Sequence, residues 1–257
     1  MPLASLAKIV TATVFLQLNS FRQKAGNPIE KIQISKRNTG YDKGDRDLID
    51  GEVWKTENLI RYMLITSSNF AAESLIKSMI DDEFSFATLM NKTVKDWGFK
   101  SFSFANGSGL SIPNPNYNAK ISNITLANLG NSLDNSLDNP KEIPSAYGSA
   151  RETAVLFSYI FNKIPFLGQA SIIPGATFLN WSGNTHDTVN VNQSLTQIPN
   201  IIAGKTGTTN ESGGNVMIVV SINQKKYAIV VLGSTIDARY TDLMALAAST
   251  EAFATLK

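Results

Sequence analysis

Ser5 and Lys8 stand three residues apart in PLASLAK, residues 2–8. On a helix, positions i and i+3 share a face, so the hydroxyl and the amine can meet. Serine is a poor nucleophile until a base takes its proton. A lysine can be that base when burial or a nearby positive charge keeps its amine neutral. A serine at a helix start also has free backbone N–H groups around it. The spacing alone is weak, because Ser74 and Lys77 repeat it and read as ordinary helix surface.

A second pattern is S-x-N at Ser67 and Asn69, in TSSNFAA between two apolar helical runs. Such a loop can aim side chains into a cleft, and it can equally be a helix N-cap. Ser182/Asn184 and Ser221/Asn223 match the same pattern. The third is Lys205-Thr206-Gly207 in IIAGKTGTT, which occurs once. On a strand this run presents an ammonium, a hydroxyl and an unencumbered backbone to a ligand carboxylate. Without a ligand it is a glycine-containing strand entry with an exposed lysine.

Composition narrows the chemistry. The 257 residues suit one large domain, or one plus a subdomain. There is no cysteine, hence no thiol nucleophile, disulfide or cysteine metal site. A single histidine, His186, argues against a histidine metal centre. It lies in GNTHDTVN and reads as a surface or loop residue. DKGDRDLID at 42–50 does not match a calcium loop. Net charge is +2, too mild to argue for nucleic acid. No apolar run is long enough to span a membrane, and the N-terminus does not read as a signal peptide.

The elements that must hold these residues can be read from periodicity. Residues 4–18 are a broadly apolar helix, therefore central. Residues 31–49 suggest short strands or loops. Residues 56–65 form a helix with Thr56 as N-cap and Glu57 in its first turn. Further helices cover 70–80, 85–99 (closing at Gly98) and 150–164. Residues 105–148, rich in Asn, Gly, Pro and Ser, read as a surface excursion; NSLDNSLDN repeats too briefly for a solenoid. NVMIVVSI and YAIVVLGS form a β-hairpin, central by its apolar density, followed by a helix over 239–256. The expectation is a single α+β domain, an antiparallel sheet flanked by helices.

The order S-x-x-K, S-x-N, K-T-G is the trio of class A β-lactamases and penicillin-binding proteins. The likeness extends beyond it. PLASLAKIVTA resembles the P-A-S-L-T-K-[IL]-M-T-A block of the D-alanyl-D-alanine carboxypeptidases, the low-molecular-mass penicillin-binding proteins. LITSSNFAAESL, LMNKTVKDWGFKSFSFANGSGL, YGSARETAVLFSYIF and IPNIIAGKTGTT resemble further blocks of that family. The resemblance implies a DD-peptidase/β-lactamase-like fold and a serine-type carboxypeptidase that hydrolyses the terminal D-alanine of peptidoglycan stem peptides. It implies no metal and no cofactor, β-lactams as covalent inhibitors, and an extracytoplasmic place.

By this likeness Ser5 is the nucleophile and Lys8 its base. Ser67 relays a proton to the leaving amine, and Asn69 orients Lys8 and the substrate. Lys205 supplies positive potential and helps keep Lys8 neutral, while Thr206 anchors the substrate carboxylate. The N–H groups of Ser5 and Thr208 form the oxyanion hole, beside Gly207. A D,D-endopeptidase, a class A-like β-lactamase and a non-hydrolytic penicillin-binding sensor are the alternatives. No glutamate between the second and third motifs has an asparagine four residues on, which argues against a class A enzyme. A Ser-His-Asp hydrolase lacks its G-x-S-x-G elbow, since Ser108 has Asn106 two before it.

Three departures from the family pattern stand out. Phe70 replaces an acidic residue after the S-x-N motif. The Ser67–Lys205 interval is long, with the excess expected in 111–148. The family has a signal peptide and strands before the serine helix, and here the chain begins four residues before Ser5. The expectation is therefore an N-terminally incomplete domain with an exposed sheet edge beside the hairpin, and without an anchor after Lys257.

Overall fold

The computed structural model describes residues 1–35, 47–80, 82–114 and 141–256. A 3-10 turn, Ala4–Leu6, leads into helix α1, Ala7–Lys24. Every residue from Ala7 to Phe15 is buried, Lys8, Thr11 and Thr13 included. The broad apolar surface read from the sequence thus marks a helix that crosses the core. Its last turns emerge and carry Arg22 and Lys24, favourable charges at a helix C-terminus.

A two-stranded ribbon follows, β1 (Lys31–Gln33) paired with β2 (Val53–Lys55). Helix α2 spans Thr56–Thr66. Thr56 is not its cap, contrary to the sequence expectation. The preceding Lys55 holds that position, and the Thr56 hydroxyl donates to Ile29 O at 2.8 Å, tying the helix start to the chain before β1. Helix α3, Asn69–Met79, is capped by Ser68, whose Oγ accepts from Ala71 N at 2.9 Å. Ser74 on α3 is buried rather than surface: its Oγ accepts from Ser35 N, and the exposed Lys77 donates to Ser35 Oγ. Phe70 points its apolar bulk into the core, 6% exposed. Helix α4, Glu83–Asp96, begins on Asp82 and ends before Gly98, at φ +87°.

The excursion closes into a neck. Strands β3 (Ser103–Phe104) and β4 (Ile112–Pro113) pair with β6 (Ala146–Tyr147) and β5 (Glu142–Ile143), respectively. Its middle, with the NSLD repeat, lies outside the described residues. Helices α5 (Ala150–Lys163) and α6 (Pro165–Ser171) lead to a hairpin, β7 (Gly175–Leu179) and β8 (Thr185–Val189).

The main sheet is antiparallel, in the order β11-β10-β9: β9 is Ile201–Thr209, β10 Gly213–Ile222 and β11 Lys225–Ser234. Helix α7, Ala238–Thr255, closes the described chain. Met217 and Val219 face the large core with α1, α2 and α5, while Val216, Ile218 and Val220 face Tyr240 and Leu243 of α7. Both faces are covered, which accounts for the continuous apolar run. Only β10 of the expected hairpin is central. β11 stands at the end of the described order, so its apolar density reflects covered faces rather than two strand neighbours.

Candidate active site

The site forms where the start of α1, the start of α3 and strand β9 converge. Ala4 takes φ +49°, an uncommon angle for a residue with a side chain, and the turn it begins presents Ser5. Leu3, Ala4 and Leu6 are buried, whereas Ser5 is half-buried. The turn is gripped from two sides. A Cβ on Gly109 would fall 2.1 Å from Ala4 O, and one on Gly207 would fall 2.6 Å from Leu3 O and 3.1 Å from Ser5 N. Glycine is required at both positions because backbone meets backbone there.

Lys8 is fully buried. Its Nζ lies 2.8 Å from Ser5 Oγ, 2.7 Å from Asn69 Oδ1 and 2.7 Å from Ser108 O. Ser67 occupies the left-handed region at φ +63° between α2 and α3. Because Ser68 does the capping, the Ser67 and Asn69 side chains are left for the site. Ser67 Oγ accepts from Lys205 Nζ at 2.8 Å, and Lys205 also donates to Thr206 O at 2.8 Å. The result is two serine–lysine pairs, Ser5–Lys8 and Ser67–Lys205.

Burial, and then the positive charges of Lys8 and Arg239, push the Lys205 ammonium well below the usual lysine range. The two lysines therefore oppose each other's charge, and the field expected to act from Lys205 on Lys8 acts equally in return. Thr206 is buried, whereas Thr208 is exposed. Thr208 Oγ1 accepts from Arg239 of α7 at 2.6 Å. Asn215 Nδ2 donates to Pro2 O, holding β10 to the chain before the serine turn.

Ser5, Lys8 and Asn69 thus meet directly, as do Ser67 and Lys205, with Gly207 packed on the serine turn. Ser182/Asn184 and Ser221/Asn223 lie in the β7–β8 and β10–β11 regions. Two contributors were not foreseen. The Asn106–Leu110 loop supplies the Ser108 carbonyl, and Asn106 organises it by accepting from Gly109 N and Ser145 Oγ and donating to Leu110 O. ANGSGL was legible as a family block, but nothing local says that its carbonyl reaches Lys8. Arg239 carried no motif at all.

His186 corrects the expectation of a surface or loop residue. It is 6% exposed, on β8, with Nε2 at 3.0 Å from Glu52 Oε1. The alternation of β8 puts His186 and Thr188 inward. Glu52 also accepts from Asn184, Trp54 and Ile49 N. Burial raises the Glu52 carboxyl, but these hydrogen bonds outweigh it and hold the group below its usual range. His186 makes no hydrogen bond to the serine–lysine cluster among the described residues.

The arrangement sets a half-buried serine against a buried lysine on a helix-flanked antiparallel sheet, and solved structures share the fold. A penicillin-binding protein from Listeria monocytogenes, in a cefotaxime-bound form, aligns with a TM-score of 0.70 at 22% identity, over 100% of this chain and 88% of that one. A DD-transpeptidase from Streptomyces aligns with a TM-score of 0.72 at 19% identity, over 98% of this chain and 88% of that one. The family model described as D-alanyl-D-alanine carboxypeptidase matches residues 1–235, and the chain belongs to that family. A D-alanyl-D-alanine endopeptidase from Haemophilus influenzae is 33% identical over 114 residues, 44% of this chain. The match covers 37% of that relative's length.

Proposed function

We propose that this protein is a serine peptidase that releases the terminal D-alanine of peptidoglycan stem peptides through an acyl-enzyme. The observation that carries the reading is the buried Lys8 amine, 2.8 Å from Ser5 Oγ and fixed from behind by Asn69 and Ser108. Ser5 Oγ attacks the carbonyl carbon of the D-Ala-D-Ala bond, and its proton passes to a neutral Lys8 amine. The N–H groups of Ser5 and Thr208 take the developing oxyanion. The C–N bond breaks, and the leaving amine receives a proton through Ser67, which Lys205 holds in place. Water then attacks the ester, yielding the shortened peptide and free Ser5.

Lys205, Thr206, Thr208 and Arg239 receive the substrate's terminal carboxylate. Its arrival offsets the crowding of positive charge that otherwise disfavours a charged Lys205. β-Lactams acylate Ser5 by the same route. A peptidoglycan substrate places the protein outside the cytoplasm, and no described helix is long and apolar enough to cross a membrane. A second reading, cleavage of cross-links as an endopeptidase, is favoured by the name of the Haemophilus influenzae relative.

The test compares the protein with Ser5→Ala, using a fluorescent penicillin and a short peptide ending in D-Ala-D-Ala. Covalent labelling and D-alanine release that both vanish in Ser5→Ala are expected. Labelling with cleavage of cross-linked dimers but no D-alanine release would select the endopeptidase. Absence of labelling in folded protein would remove Ser5 as nucleophile.

A further inference from the structure

At the opposite end of α1 from Ser5 an open groove of about 670 Å³ runs between the last turns of α1, the start of α2 and the β7–β8 tip. That volume is in the range of small-ligand sites. Its distinguishing feature is Trp181, 54% exposed although it is a large apolar ring. The tip that carries it is fastened by backbone and short side chains. Trp181 N donates to Val53 O at 2.8 Å, Val53 N donates to Ser182 Oγ at 3.0 Å, and Asn184 N donates to Asn180 Oδ1 at 3.0 Å. The backbone that carries the indole is therefore fixed to the β1–β2 ribbon.

The groups around it are charged and polar but balanced. Lys31 and Lys55 are direct partners across the β1–β2 ribbon, an arrangement that repels. Both ammoniums lie over the indole, at 3.8 and 5.6 Å from the ring centroid. Glu30 and Glu57 line the same groove, so two carboxylates face two ammoniums, and the Gln23 and Asn58 amides add donors and acceptors.

We propose that this groove binds a neutral sugar chain. A pyranose ring has an apolar C–H face to set against an indole and a rim of hydroxyl and acetamido groups that both donate and accept. Flat aromatic surface ringed by mixed, charge-balanced hydrogen-bonding groups is complementary to that. A polyanion would meet Glu30 and Glu57 as well as the lysines, and an apolar peptide on Leu16, Pro28 and Ile29 would leave the surrounding charges and amides without partners. Lys31 and Lys55 are exposed and can turn from the indole to ring hydroxyls. The choice of the peptidoglycan glycan strand as the chain rests on the function proposed above.

The groove is no part of the serine site. At 1.5 Å rise per residue, Asn19 lies about 20 Å along α1 from Ser5, with the core between them. Its role is to hold the enzyme on the polymer, raising the local concentration of stem peptides around Ser5.

The test titrates the protein and Trp181→Ala with the hexamer of N-acetylglucosamine, by calorimetry and tryptophan fluorescence. It adds co-sedimentation with purified peptidoglycan sacculi and D-alanine release from a short soluble peptide. Expected are hexamer binding by the parent, at least tenfold weaker binding by Trp181→Ala, and a parallel fall in co-sedimentation with soluble-peptide turnover unchanged. No hexamer binding by the parent, equal binding by Trp181→Ala, or Trp181-dependent binding of poly(glycerol phosphate) in place of the hexamer would each overturn the proposal. Peptide turnover without hexamer binding defeats the groove alone, whereas hexamer binding without turnover defeats the carboxypeptidase reading alone.

Discussion

The Ser5–Lys8 and Ser67–Lys205 pairs put two buried amines, with Arg239, around one cleft. Burying Lys205 costs stability because its charged form is disfavoured there, by desolvation first and by Lys8 and Arg239 next. Its pKa in the folded state lies below the 10.5 of the unfolded chain. Between those two values the unfolded state binds more protons, so stability rises with pH across the window. Lys205→Met removes the titrating group. Its melting temperature at pH 7 is expected to exceed the parent's by a few degrees, on the order of 1 kcal/mol, with the gap narrowing toward pH 10.5 while acylation collapses. A variant that melts lower at pH 7, or a gap independent of pH in differential scanning calorimetry, would show that Lys205 is held without this penalty. A substrate carboxylate has the opposite effect to burial, so its affinity should fall as Lys205 deprotonates.

Single elements set the tolerances of the site. Strand β9 lies against the serine turn only because Gly207 has no side chain. In Gly207→Ala the new Cβ would press on the Leu3 carbonyl and the Ser5 N–H, so β9 must withdraw. Fluorescent-penicillin acylation should slow by about 100-fold, the scale of losing one oxyanion donor, for a stability cost of only about 1–3 kcal/mol. Wild-type acylation in Gly207→Ala would mean that the turn, not the strand, gives way. The β7–β8 hairpin is fastened differently, by the Glu52 carboxylate and its four partners. Since the folded-state pKa of Glu52 lies below 4.5, its contribution is present above that value and lost as pH falls through the folded pKa. Glu52→Gln should cost about 1–3 kcal/mol at pH 7 and close on the parent as pH falls through the folded-state pKa. Parallel urea curves above and below that pKa would show that the carboxylate's charge contributes nothing.

Across the whole molecule, the groups proposed to be catalytic sit on a seam. Ser5, Lys8, Asn69 and Ser108 come from the helical side, and Lys205 to Thr208 from the sheet. Ser111, on the loop side, donates to Glu211 in the β9–β10 turn, a further link across that seam. The sheet is held by two clusters that meet on β10, whose Met217 pairs with Lys205 and is fully buried. Met217→Ala should cost about 2–5 kcal/mol and slow acylation as well, because the strand that supports Lys205 loses its packing. Urea denaturation and penicillin labelling on the same sample would test the coupling; full-rate labelling despite the stability loss would separate core from site.

Much of this was legible along the chain, for one reason: short-range geometry is encoded locally. Helical spacing allows Lys8 to stand beside Ser5, dense β-branched and apolar runs mark NVMIVVSI and YAIVVLGS as strands, and the broad apolar surface of α1 declares a helix inside the core. What the sequence did not determine are the meetings of distant segments. Thr56 looked like a cap, yet its hydroxyl is taken by Ile29 O. His186 looked like a loop residue, yet Glu52 draws it inward from another hairpin. Ser108 lends its carbonyl to Lys8, Arg239 reaches Thr208 from the last helix, and Ser67 finds Lys205 across the seam. Periodicity reports which face of an element is buried, but not what it is buried against. By itself the sequence pointed to Ser5 and Lys8 as the candidate nucleophile and base, and to the elements that carry them. Only the tertiary structure decided how the two lysines share one field, because that depends on burial and on charges brought together from opposite ends of the chain.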